Sequence, residues 1–179
     1  KTGYRDMPWR HSDQNGSFDS YKILISEIML QQTQVSRVVP KFQEFISKFP
    51  DFQTLASASL GDVLTIWSGL GYNRRAKHLW QSAQIVQQRG KFPLTVQELV
   101  ELPGVGVNTA SAILVYCFNK PLVFIETNIR TVFLYHFFPH SELGSDKQLL
   151  PLIEQTMDVN CARVLFFGLM DYGTYLKHS

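Results

Sequence analysis

Leu102-Pro103-Gly104-Val105-Gly106-Val107-Asn108-Thr109-Ala110 is the stretch that decides the fold. Just before it, Thr95-x-x-Glu98 has the spacing of a helix capping box. Just after it, the apolar run from Val107 to Phe118 reads as a buried helix. Pro-Gly-x-Gly between them predicts a hairpin joining two helices. Two glycines two apart let the backbone turn sharply and come close to a ligand. The second helix then offers free N–H groups and its positive dipole end at the turn, which suits a phosphate. The alternative is an ordinary turn between packed helices.

Outward from the hairpin the periodicity is helical almost throughout. Asp19 or Ser20 caps a helix carrying Tyr21, Leu24, Ile25, Ile28 and Met29 at spacings of three and four. Pro40 is expected to start the next helix, with Phe42, Phe45, Ile46 and Phe49 on one side. Ser59-x-x-Asp62 has capping-box spacing, and Gly69-Leu70-Gly71 is a break. A helix follows from about Arg74 to Gln88, closed by Gly90. Further helices are expected over about Thr127–Phe137, from the Ser145 cap through Met157, and from Cys161 to Leu176. Only Leu122 to Ile125 offers a candidate strand. The fold class is therefore all-α, with residues 1–19 irregular and packed on the rest.

Composition narrows the function classes. In 179 residues, 17 Lys+Arg against 15 Asp+Glu give a net charge of +2, too small to argue for a nucleic-acid partner by itself. An apolar fraction of 45% and a charged fraction of 18% exclude disorder for the bulk of the chain. No apolar run approaches the roughly 20 residues that span a bilayer, so no membrane is expected. No signal-peptide pattern opens the chain, and a start at Lys1 suggests a trimmed sequence. The two cysteines, Cys117 and Cys161, build neither a disulfide framework nor a four-cysteine metal site. Both are expected to be buried thiols.

The stretch Ser26-Glu27-Ile28-Met29-Leu30-Gln31-Gln32-Thr33-Gln34-Val35 resembles the signature helix of the MutY adenine DNA glycosylases. Met7-Pro8-Trp9-Arg10, Gly69-Leu70-Gly71-Tyr72, Arg75-Ala76 and the hairpin follow in that family's order, so the likeness runs from about Arg5 to Tyr175. It is most specific for the wider helix-hairpin-helix (HhH-GPD, endonuclease III) superfamily. It implies one catalytic domain in two lobes. A helical barrel would cover about residues 20–130, with the hairpin at 102–107. A second lobe would combine about 1–19 with 131–179.

Removing a base from DNA builds positive charge on the sugar and negative charge on the base, so an acid at the base and a carboxylate at the sugar both help. The resemblance assigns the acid to Glu27, whose apolar surroundings would raise its pKa. Glu126, in Ile125-Glu126-Thr127-Asn128, falls where the family has its catalytic Asp. The family pattern is Asp-Gly-Asn, so the carboxylate here stands one methylene further out. Three readings of Glu126 stay open: a pocket adapted to Glu, a slow or silent paralogue, or a helix N-cap acid favoured by the dipole. Asn128 matches the family's Asn, which orients the carboxylate or the attacking water. Asn108 stands where strand-cutting relatives carry a lysine, and an amide forms no Schiff base. The resemblance thus implies a monofunctional enzyme without lyase activity.

The base pocket is assigned to Arg5, Met7, Trp9, Arg10, Asn108 and Phe167, with Trp9 equally readable as a packing residue. DNA contacts are assigned to Gln31, Gln32, Thr33, Tyr72, Asn73 and Arg74, and to Gly104, Val105, Gly106, Asn108 and Thr109 at the hairpin. Gln31 and Tyr72 match the positions that wedge into the duplex when the base leaves. Arg74, Arg75 and Lys77 with His78 are candidates for phosphates or for a solvated face.

The sequence departs from the family elsewhere. After Met170-Asp171-Tyr172-Gly173, Lys177 occupies the position of the first iron–sulfur cysteine, and two cysteines hold no four-thiolate cluster. No cofactor is expected; the resemblance implies that the carbonyls of Val100, Leu102 and Val105 could hold a monovalent cation at the hairpin, although any turn offers carbonyls. Phe167 replaces the family's frequent Gln or Glu. The 179 residues do not include the separate C-terminal domain with which the family reads oxidised guanine, which leaves selectivity for 8-oxoguanine open.

The expected partner is double-stranded DNA carrying a mismatch or lesion, acted on by a monomer. The expected place is the cytoplasm with the nucleoid in a bacterium or archaeon, or the nucleus in a eukaryote. Adenine opposite guanine or 8-oxoguanine is the first substrate. Thymine or uracil opposite guanine, and a catalytically weak binder of mismatched or abasic DNA, remain the alternatives.

Overall fold

The structure, a computed structural model, describes residues 4–139 and 145–178. Residues 1–3, 140–144 and 179, assigned above to the second lobe, lie outside the described residues. The described elements are a 3-10 turn, Pro8–Arg10, and helices α1 (Ser20–Leu30), α2 (Val35–Lys48), α3 (Phe52–Ser57), α4 (Leu60–Trp67), α5 (Arg74–Arg89), α6 (Val96–Leu99), α7 (Val107–Phe118), α8 (Thr127–Phe137), α9 (Asp146–Thr156) and α10 (Ala162–His178). No strand occurs among the described residues, and 122–125 is irregular. No described helix is long and apolar enough to cross a membrane.

Packing divides the chain into two units, Met7–Ile113 and Lys1–Asp6 with Leu114–Ser179. The sequence reading put the divisions near 19/20 and 130/131.

In the unit Met7–Ile113, α1 is the centre. Tyr21, Ile23, Leu24, Ile25, Ser26, Ile28 and Met29 are all buried, so the helix is covered on every side. It packs against α2, α5 and the 3-10 turn. Asp19 caps it, accepting hydrogen bonds from the N–H groups of Tyr21 and Lys22. α2 starts at Val35, one turn before the expected Pro40, and Pro40 lies inside it. The helix tolerates the missing N–H because Val38, Phe42 and Phe45 bury one face and hold it together. Ser59 caps α4, Gly90 closes α5 in the left-handed conformation, and Thr95 with Glu98 forms the full capping box of α6.

In the other unit, α10 packs along α8, and α9 also contacts α8. Phe124 stacks on Phe166 with ring centroids 4.3 Å apart, and Tyr116 on Phe167 at 4.6 Å. Ser145 caps α9 as expected. Arg163 donates to the Cys117 carbonyl at 2.8 Å. Cys117 is buried but Cys161 is exposed, against expectation, because Cys161 immediately precedes α10 rather than lying inside it.

Candidate functional site

The end of α1, the turn before α5 and the hairpin are far apart in sequence and meet in space. One side chain organises the first two. Arg75 lies on the buried face of α5 with Ala76, Leu79 and Ala83. One guanidinium nitrogen donates to the carbonyls of Ile28 (3.1 Å) and Met29 (2.9 Å), and also to that of Gln31. The other donates to Thr33 Oγ1 (3.0 Å) and to the carbonyls of Leu70 (3.2 Å) and Gly71 (3.3 Å). The unpaired carbonyls at the end of α1 are thereby satisfied by a charged fork. The cation also lies 5.4 Å from the ring centres of Trp67 and of Tyr72. Burial lowers its pKa, as desolvation of a cation must. Arg75 is therefore not a phosphate ligand, as the sequence had allowed. The signal was its place on the apolar stripe of α5.

Held in this way, the wedge candidates project outward. Tyr72 is 65% exposed. Tyr72 and Gln32 adopt left-handed backbone with φ of 49° and 55°, a conformation costly for residues with a Cβ. Gln31 donates its side-chain N–H to the Gly104 carbonyl at 3.1 Å, which ties α1 to the hairpin. Gly104 has φ +79°, and a Cβ there would stand 2.9 Å from His78 Nδ1. The hairpin thus needs glycine for both backbone and space. Leu102 and Val105 are buried and anchor it, while Gly106 and Asn108 are exposed. Arg74 is exposed and donates to His78 Nε2 at 3.3 Å. Burial, with Arg74 and Lys77 nearby, lowers the His78 pKa. An open concavity of about 690 Å³ is lined by Gln31, Gln32, Tyr72, Arg74, His78 and Gly104, with Arg75. Asn73 begins α5 and is exposed, and Thr109 is half-buried in the first turn of α7. Glu27 is half-buried on α1 between the buried Ser26 and Ile28. Met7, Trp9 and Arg10 are buried around the 3-10 turn, and Trp9 packs edge-on against Phe42 at 5.2 Å.

The other unit holds the second carboxylate. Glu126 is the N-cap residue of α8, yet its side chain makes no capping bond. Burial raises its carboxyl above the ordinary range. Glu126 thus holds the N-cap position of α8 without a side-chain capping bond. Asn128, in the first turn of α8, accepts a 2.6 Å hydrogen bond from Lys177 on α10. Gly173 on the same helix lies against the Asn128 backbone. Arg5 pairs with Asp171 at 2.6 Å and donates to the Met170 carbonyl at 3.0 Å. The face of Phe167 is stacked on Tyr116. Among the described residues, no group of three or more His, Cys, Asp or Glu side chains is placed to hold a metal.

Residues 25–155 match the family described as HhH-GPD superfamily base excision DNA repair protein. The adenine DNA glycosylase of Buchnera aphidicola subsp. Acyrthosiphon pisum is 37% identical over 179 residues, covering 97% of this chain and 49% of that protein. That of Buchnera aphidicola subsp. Baizongia pistaciae is 40% identical over 177 residues, with the same coverage. The chain therefore spans about half the length of the curated relatives it matches. Among solved structures, a thermostable thymine-DNA glycosylase superposes with a TM-score of 0.80 at 29% identity, over 94% of this chain and 78% of that one. The all-α architecture, the two-glycine hairpin after a capped helix, and a family match over residues 25–155 agree, and the chain belongs to the HhH-GPD superfamily of base excision DNA repair proteins.

Proposed function

We propose that this chain is the catalytic part of a monofunctional DNA glycosylase that removes adenine opposite guanine or 8-oxoguanine from double-stranded DNA. The observation that carries the reading is the concavity where Gln31, Tyr72 and the Gly104 carbonyl converge. It presents a planar ring, long polar side chains and a glycine backbone at one opening, the equipment for filling a gap in a base stack and approaching a phosphate. The adenine assignment rests on the relatives at 37% and 40% identity. In the reaction the C1′–N bond breaks with its electron pair leaving on the base. Glu27 supplies the proton that neutralises the departing base. The ionised Glu126 faces the positive charge on the sugar and receives the proton of the attacking water. Asn108 has no amine for a sugar adduct, so the product is an intact strand with an abasic site. No cofactor takes part in bond cleavage. The carbonyls of Val100, Leu102 and Val105 would hold a monovalent cation at the hairpin. Leu102 already accepts the Val105 N–H at 3.1 Å and keeps a second lone pair for it.

Single-turnover base release from duplexes carrying A:8-oxoG, A:G, T:G, U:G and undamaged pairs tests this. Adenine is expected to be released, with Glu27→Gln and Glu126→Gln each slowing it by about 100-fold or more. Omitting alkali should leave the strand uncut. Release of thymine or uracil in place of adenine would favour the second reading, which the likeness to a thymine-DNA glycosylase and the apolar Phe167 support. Binding without release from any duplex would overturn the enzyme reading.

A further inference from the structure

Two residues of α10 converge on one residue of α8. Gly173 and Lys177 are four apart, so they share a face of the helix. At Gly173 the fit is too close for any side chain. A Cβ would stand 2.2 Å from the Asn128 carbonyl oxygen, 2.7 Å from its carbonyl carbon and 2.8 Å from its Cα. All three are backbone atoms, so no rotamer relieves the clash. One turn on, the Lys177 ammonium donates to Asn128 Oδ1 at 2.6 Å. An ammonium has donors only, so this bond settles which way the Asn128 amide faces. The oxygen is held by Lys177, and the NH2 group is what Asn128 offers to an acceptor. Asn128 stands two residues from Glu126, in the turn that Glu126 opens.

We propose that Gly173 and Lys177 are positioning residues: Gly173 sets the height of the first turn of α8, and Lys177 fixes the Asn128 amide as a donor, so that together they place the Glu126 carboxylate. The inference rests on the glycosylase reading. It goes beyond it because neither residue need touch DNA. A rigid first turn matters here because displacing a reacting group by about 1 Å costs on the order of 100-fold in rate.

The test uses the full chain and an A:8-oxoG duplex, with saturating single-turnover rate, duplex Kd and melting temperature measured separately. Lys177→Met is expected to slow release by about 10-fold, part of the misplacement cost, with Kd and melting temperature near wild type. Lys177→Arg keeps the charged donor and should recover most of the rate. In an Asn128→Ala background, Lys177→Met should cost nothing further, because its partner is gone. Gly173→Ala should slow release by about 100-fold. If that variant does not fold, the exposed Lys177 series decides alone. An unchanged rate in Lys177→Met, a loss confined to Kd as expected of a phosphate contact, or full additivity with Asn128→Ala would overturn the positioning role and leave the glycosylase reading standing. A wild type that releases no base from any duplex of the panel would overturn both.

Discussion

In the proposed reaction the Glu126 carboxylate faces positive charge, and its place where water is scarce carries a cost. Burial lifts its folded pKa above that of the unfolded chain. Below that unfolded value the group is protonated in both states and costs nothing. As pH rises, the unfolded chain ionises first, and stability is lost until pH passes the folded value. Glu126→Gln cannot ionise. Its melting temperature should match wild type near pH 4 and exceed it at pH 7.5, while base release is lost; equal melting at both values would show that the carboxylate is not buried at a cost. Residue by residue, the sequence was legible where a motif names a backbone need. Gly104 and Gly90 are glycines at positive φ, and Thr95 with Glu98 closes its capping box. It was not legible where partners come from distant segments. Nothing near Arg75 in sequence announces the carbonyls of Ile28 and Met29, and nothing near Gly173 announces Asn128.

At the scale of elements, the bounds of α7 and α8 agree with the sequence reading, because both are flanked by turns and breakers that act locally. The start of α2 was misjudged because proline was read as a beginning. Its exposed ring sits at the sixth helical residue, where the absent N–H leaves the Ser36 carbonyl without its usual helical donor. Pro40→Ala restores that donor, and the penalty for proline in a helix interior is about 3 kcal/mol. Part of it is offset by the greater freedom of the unfolded alanine chain. The variant should gain about 1–2 kcal/mol in urea unfolding. A loss would mean that the proline ring itself contributes to the packing or rigidity of α2. The short α3 escaped the sequence reading, since an element of six residues holds too little periodicity to register, whereas the four-residue α6 was announced by its capping box.

For the whole molecule, the all-α class was legible because helical spacing runs almost throughout, with only 122–125 as a strand candidate. The boundary between units was harder to place, since the division falls within α7, a helix whose sequence is apolar from end to end. The family was legible through short stretches that keep their order along the chain, while charge, at +2, carried almost none of it. Arg75 has a consequence for how the unit Met7–Ile113 breathes. A single guanidinium joins the end of α1 to the turn before α5, so neither segment opens alone. In native-state hydrogen exchange, the amides of Thr33 and Leu70, bonded to Leu30 and Trp67, should share one opening free energy and one urea dependence. Arg75→Lys should release both together, and independent release would show two separate latches. Gln31 and Tyr72, the proposed wedge side chains, would then ride on one cooperative unit, ordered or disordered as a pair.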